Sequence, residues 1–204
     1  MITLYQIKPK FVELLRPIAS LIVSRGITAN QVTLAALIGS ILVGLVLFFV
    51  LKISTLFMLV IPVWMFLRMA LNAIDGIIAK EHNQKTPLGG YLNELADVVS
   101  DVFLFLPFSL ISPFSVYSIG LVIVLSIISE FSGVLSHAIN IPRRYDGPMG
   151  KSDRALVFGV LAIWIAFVPA LPAFMAFAPW VIATLILINC YSRINKALIE
   201  YASK

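Results

Sequence analysis

Between Asn72 and Asp101 the sequence reads N-A-I-D-G-I-I-A-K, E-H-N-Q-K-T-P-L and G-G-Y-L-N-E-L-A-D-V-V-S-D, which gathers carboxylates, amides and glycines between two apolar runs. Arg68, Asn72, Asp75 and Ala79 step by four, three and four, a spacing that stacks them on one face of a helix. Asn93, Asp97 and Asp101 step by four and do the same on the next segment. Only the polar stretch from Lys80 to Thr86 and a few residues more separate the two, so they are expected to be antiparallel neighbours whose polar faces meet at one level. Such a pair makes a cage of oxygen donors. Hard cations such as magnesium favour oxygen, and use one or two carboxylates completed by substrate phosphates. Gly76, Gly89 and Gly90 would let a phosphorylated ligand or a neighbouring helix approach the backbone.

The elements that position these residues must lie in a membrane. The 204 residues are 60% hydrophobic and 12% charged, with a mean hydropathy of +1.01, whereas a soluble domain is about 25% charged. Long apolar runs satisfy their backbone in lipid as helices. The expected fold is therefore all-α and integral to the membrane, a single membrane domain over residues 1–204. Six transmembrane helices are expected at about 32–51, 55–79, 89–110, 116–138, 153–170 and 176–198, preceded by an interfacial amphipathic helix at about 4–22. In that first segment Leu4, Ile7, Phe11, Leu14, Leu15 and Ile18 recur at helical spacing among Lys8, Lys10, Glu13 and Arg16, with Pro9 early enough to be tolerated. A solvated amphipathic linker is the other reading. Thr28 is expected to cap the first span and Ser152 or Asp153 the fifth; Pro113 helps close the third, and Pro169 and Pro172 frame a turn before the sixth.

Thirteen of the fifteen Lys and Arg residues fall on one side of this topology, with Lys52 opposite and Arg68 within the membrane. The positive-inside rule then puts both termini and the polar cluster in the cytoplasm. These cations sit at the ends of apolar runs, so the net charge of +5 serves orientation and phosphate binding and excludes nucleic acid as a partner. Cys190, the single cysteine, excludes an internal disulfide. No cleaved signal peptide is expected, because the N-terminus lacks a basic region followed by an apolar run and a small-residue cleavage site.

The stretch resembles the signature of the CDP-alcohol phosphatidyltransferase family, Asp-x-x-Asp-Gly-x-x-Ala-Arg, eight residues, then Gly-x-x-x-Asp-x-x-x-Asp. Asp75, Gly76, Ala79, Gly89 and Asp97 match at every spacing, and Asn30 and Thr33 in the T-A-N-Q-V-T opening of the first span are also similar to the family. The likeness is greatest to a divergent bacterial subgroup that reads L-N-E in the third helix. It implies a multi-pass protein of the bacterial inner membrane, in contact with membrane lipid, that transfers phosphatidyl from CDP-diacylglycerol to an alcohol acceptor and releases CMP, with Mg2+ or Mn2+ as cofactor. A homodimer is compatible with it. By the same resemblance Asp75 and Asp97 are metal ligands, Asp97 is also the general base, and Gly76, Ala79, Lys80, Asn30 and Thr33 lie against the nucleotide. The family's first and third aspartates are Asn72 and Asn93 here, and its arginine is Lys80. An amide oxygen still ligates magnesium, but two formal charges are gone, so one metal is expected, or a weakly held second one.

Arg68, Asp101 and Glu130 fall deep in their helices, where charges find partners, and are expected to form a structural ion network. Arg143, Arg144, Lys151 and Arg154 gather at the start of the fifth helix, with Arg193 at the end of the sixth. They suit an acceptor phosphate, for which glycerol 3-phosphate is the first expectation, or simply topogenic and headgroup charge. Two other functions stay open: a catalytically silent lipid- or partner-binding membrane protein, and a proton-coupled transporter. The transporter is disfavoured by the lack of an inverted repeat and by carboxylates gathered toward one side.

Overall fold

The computed structural model describes residues 4–168 and 170–204, residues 4–10 by their backbone alone. The side chains of Leu4, Ile7, Lys8, Pro9 and Lys10, and Pro169 with its share in the expected turn, lie outside the described residues. Seven α-helices and no strand occur among them: α1 Leu4–Ser24, α2 Ala29–Val50, α3 Val60–Glu81, α4 Pro87–Phe105, α5 Val116–Leu135, α6 Lys151–Phe167 and α7 Ala178–Ala202. Among the described residues four helical stretches are long and apolar enough to cross a membrane: Ala29–Val50, Thr55–Glu81, Val116–Ile139 and Ala173–Ala202.

The helix ends follow local chemistry, which moves several expected boundaries. Thr28 caps α2 as expected and does so reciprocally: its Oγ1 accepts from the Gln31 N–H at 3.3 Å, and its own N–H donates to Gln31 Oε1 at 2.8 Å. The helix therefore begins at Ala29, ahead of the expected residue 32. Thr86 caps α4 by accepting from the Gly89 N–H at 3.0 Å, and Pro87 takes the first helical position, where its missing donor is harmless. For α6 the expected cap at Ser152 or Asp153 is replaced by Gly150, whose N–H donates to Asp153 Oδ2 at 3.2 Å. Regular α-helix stops at Phe105 and Leu135, and the expected third and fourth spans continue as 3-10 turns, Leu106–Leu110 and Ser136–Ile139.

The chain forms two compact units, a division that no shift of composition marks. The first joins the chain up to Leu42 to Val63–Ser100. Its core is Leu15 and Ala19 of α1, Ala29 and Val32 of α2, and Ile74, Ile77 and Ile78 of α3. Leu14, Ile18 and Leu21 of α1 face outward, so α1 carries one apolar stripe into the core and leaves a second exposed. Two left-handed residues end the helices of this unit. Gly26, at φ 78°, closes α1, with the Ile27 and Gly26 N–H groups returning to the carbonyls of Ile22 and Val23. Asn83, at φ 55°, follows α3, where the Gln84 N–H returns to the Ala79 carbonyl. Gln84 Oε1 then accepts from the Ala29 N–H at 2.9 Å, which ties the end of α3 to the start of α2.

The second unit joins Val43–Pro62 to Asp101–Lys204. In it α5 packs along α7, and α6 against the 3-10 turn Thr55–Leu59. Phe105 stacks on Phe158 with ring centres 4.0 Å apart, and Phe108 meets the same ring edge-on at 4.9 Å.

Candidate active site

In the first unit the polar stripe of α3 meets partners from α2 and α4. Thr33 Oγ1, buried on α2, donates to Asp75 Oδ2 at 2.7 Å. Asn72 Nδ2 donates to Asp97 Oδ1 at 3.0 Å, and Arg68 Nη2 lies 3.3 Å from the same oxygen and donates to the Asp97 carbonyl at 3.0 Å. Asp75 and Asp97 are 7% and 8% exposed, so each carboxylate is held in one orientation away from bulk water. Asn93 is half-buried one turn before Asp97 on α4. Asn30 lies against the start of α4, its Oδ1 2.8 Å from where a Gly89 side chain would begin. A Cβ at Gly76 would meet nothing within 4 Å, which leaves the backbone beside Asp75 open to a ligand. Ala79 is half-buried and Lys80 is exposed in the last turn of α3.

Those donors are hard oxygens of the kind that a divalent cation takes. Two carboxylates and two amide oxygens are present, and among the described residues no three Asp, Glu, His or Cys side chains gather as a metal-ligating group. Magnesium or manganese at such a site takes its remaining ligands from water and substrate phosphate. The sequence reading placed Arg68 with Asp101 and Glu130. Its hold on Asp97 was missed, although the Arg68–Asn72–Asp75 spacing signals it.

In the second unit the buried charges centre on Arg154, which is 0% exposed. Its Nη2 donates to Glu130 Oε1 at 2.8 Å and to Asp101 Oδ2 at 3.1 Å. Glu130 Oε2 accepts from Arg143 Nη2 at 2.8 Å and lies 3.4 Å from Arg193 Nη1. Asp101 and Glu130 both bond to Arg154, one of the arginines that the sequence reading gives to an acceptor phosphate. Lys151 opens α6 half-buried. Arg144 pairs with Asp146 at 2.8 Å and Glu200 at 2.6 Å, and Lys196 with Asp146 at 2.8 Å. Burial would raise the Asp146 carboxyl, but the hydrogen bonds and charges of Lys196 and Arg144 together hold it below the usual carboxylate range. Gly133 lets the loop close on α5: a Cβ there would stand 2.7 Å from the Arg144 carbonyl oxygen, and the Arg144 N–H donates to the Gly133 carbonyl. Sequence reasoning also missed Ser129 and Asn189, both 0% exposed, where the Ser129 hydroxyl donates to Asn189 Oδ1 and Asn189 Nδ2 to the Asp146 carbonyl. Only their polarity on apolar helices could have marked them.

Comparison with known proteins bears on both units. The family model for CDP-alcohol phosphatidyltransferase matches residues 26–190. The chain is 47% identical over 167 residues to the inner membrane protein YnbA of Escherichia coli (strain K12), covering 82% of each. Its fold is similar to that of the phosphatidylinositol phosphate synthase of Mycobacterium tuberculosis solved with CDP-DAG bound, with a TM-score of 0.72, 21% identity, and 91% of this chain and 94% of the other covered. The same synthase in complex with manganese and citrate gives a TM-score of 0.73 at 20% identity, with 90% and 88% covered.

Proposed function

The chain belongs to the CDP-alcohol phosphatidyltransferase family, and on that premise we propose that it transfers phosphatidyl from CDP-diacylglycerol to an alcohol and releases CMP. The observation that carries the reading is the separate anchoring of the two retained signature aspartates, Asp75 by Thr33 and Asp97 by Asn72 and Arg68. The acceptor hydroxyl oxygen attacks the phosphatidyl phosphorus, the bond from that phosphorus to the CMP oxygen breaks, and the hydroxyl proton passes to the Asp97 carboxylate. Arg68 and Asn72 hold that carboxylate in place. Asp75 and Asp97, with amide oxygens from Asn72 and Asn93, would hold one Mg2+ or Mn2+, which when bound neutralises the diphosphate leaving group. The open backbone at Gly76, with Ala79, Lys80, Asn30 and Thr33, is assigned to the nucleotide.

The proposed topology has six spans with α1 along the interface and both termini and the site in the cytoplasm. The cation asymmetry and the outward apolar stripe of α1 support it. Purified protein incubated with CDP-diacylglycerol, magnesium or manganese and a panel of alcohols is expected to release CMP, and Asp97→Asn to abolish release. Turnover surviving Asp97→Asn would remove the assigned base. Absence of release with every acceptor and either metal would leave the catalytically silent reading, which the amides at 72 and 93 favour.

A further inference from the structure

Resting on the phosphatidyl-transfer reading above, we propose that Arg68 keeps this site from holding a free divalent cation tightly, so that the metal is retained only together with the diphosphate of the nucleotide substrate. Arg68 is 4% exposed and is the only buried cation among the described residues of the first unit. Its Nη2 lies 3.3 Å from Asp97 Oδ1 and donates to the Asp97 carbonyl at 3.0 Å. Asn72 presents its amide nitrogen to the same carboxylate oxygen at 3.0 Å. One oxygen of the buried Asp97 carboxylate thus carries both a protein cation and an amide donor.

Charge decides the consequence. Of the four side chains assigned to the metal, Asp75 and Asp97 carry charge and Asn72 and Asn93 carry none. A guanidinium does not give up its proton in a protein, so Arg68 permanently offsets one of those two charges. In a buried site it also repels a second cation that shares the Asp97 carboxylate. The single charge left falls short of a divalent ion's two, and among the described residues no three Asp, Glu, His or Cys side chains gather to make up the difference. The nucleotide diphosphate does so, because it brings both negative charge and oxygen ligands. The backbone beside Asp75 has room for it, since a Cβ at Gly76 would meet nothing within 4 Å. Arg68 is therefore a positioning residue that couples metal binding to substrate binding.

Titration calorimetry with Mn2+ on the purified full chain in detergent tests this without turnover. Wild type is expected to bind Mn2+ at least about tenfold more tightly with saturating CDP than without it, after subtraction of Mn2+ binding to CDP alone. Without nucleotide, Arg68→Gln is expected to bind Mn2+ at least about tenfold more tightly than wild type, and Arg68→Lys, which keeps the charge, to stay within about threefold of wild type. A merely structural defect would not raise affinity. Equal Mn2+ affinity in wild type and Arg68→Gln, equal affinity in wild type with and without CDP, or Arg68→Lys matching Arg68→Gln overturns the proposal. If Arg68→Gln does not fold, the two wild-type titrations decide. CMP release together with equal affinities would sink this proposal and leave the transfer reading standing. With no CMP release from any alcohol the transfer reading fails, and the nucleotide-free comparison still reports whether Arg68 weakens the metal.

Discussion

Thr33 carries more of the site than its size suggests, since its hydroxyl is the buried donor that orients Asp75. Thr33→Val keeps the shape and removes the donor. A hydrogen bond to a charged group contributes about 1.5–3 kcal/mol, so kcat for CMP release is expected to fall about 10- to 100-fold with the folded yield in detergent preserved. Unchanged kcat would show that Asp75 needs no such partner. At this scale the sequence was legible where spacing governs: Asn72 and Arg68 lie on the Asp75 face because they precede it by three and seven residues. The partners of Asp101 and Glu130 were not legible, because a salt bridge between Arg154 and Asp101 spans 53 residues and no periodicity encodes it.

At the scale of elements, local rules acted as written at Thr28 and Thr86, where a hydroxyl and the residue three positions on define a helix start. They acted less predictably at α6, where glycine caps and Asp153 bonds back from the third position. The cations of the loop before α6 suit an acceptor phosphate or topogenic charge when read from sequence, and their partners stay hidden there because they sit largely on α5 and α7. Asp146 is its clamp, joining Arg144 and Lys196. Its folded pKa lies below the unfolded value of about 3.9, so the clamp's stabilisation is present above about pH 4 and lost as pH falls through the folded value. Thermal melts in detergent are expected to show Asp146→Asn less stable than wild type at pH 7, with the two curves converging as the pH approaches 3. A gap of constant size across that range would mean that the clamp acts through packing and not through charge.

At the scale of the whole molecule, the residues that make the site are also those that obscure the topology. Helix α4 has length enough, but Glu94, Asp97 and Asp101 keep it below the apolarity of a simple span, and α6 has only 17 residues and begins with Lys151, Asp153 and Arg154. If only the four apolar stretches crossed, the loop with Arg143 and Arg144 would face the exterior, against the positive-inside rule. If α4 and α6 cross as well, that loop is cytoplasmic and the turn before α5 is external. Two exposed residues separate these arrangements: Tyr117, 85% exposed near the start of α5, and Tyr145, 70% exposed in the loop. In a Cys190→Ala background, Tyr117→Cys is expected to react with a membrane-impermeant maleimide on intact cells, and Tyr145→Cys only after the membrane is opened. The reverse pattern would establish four crossings and move the arginine cluster outside. Six crossings would instead keep the loop with Arg143 and Arg144 on the cytoplasmic side, as the positive-inside rule requires.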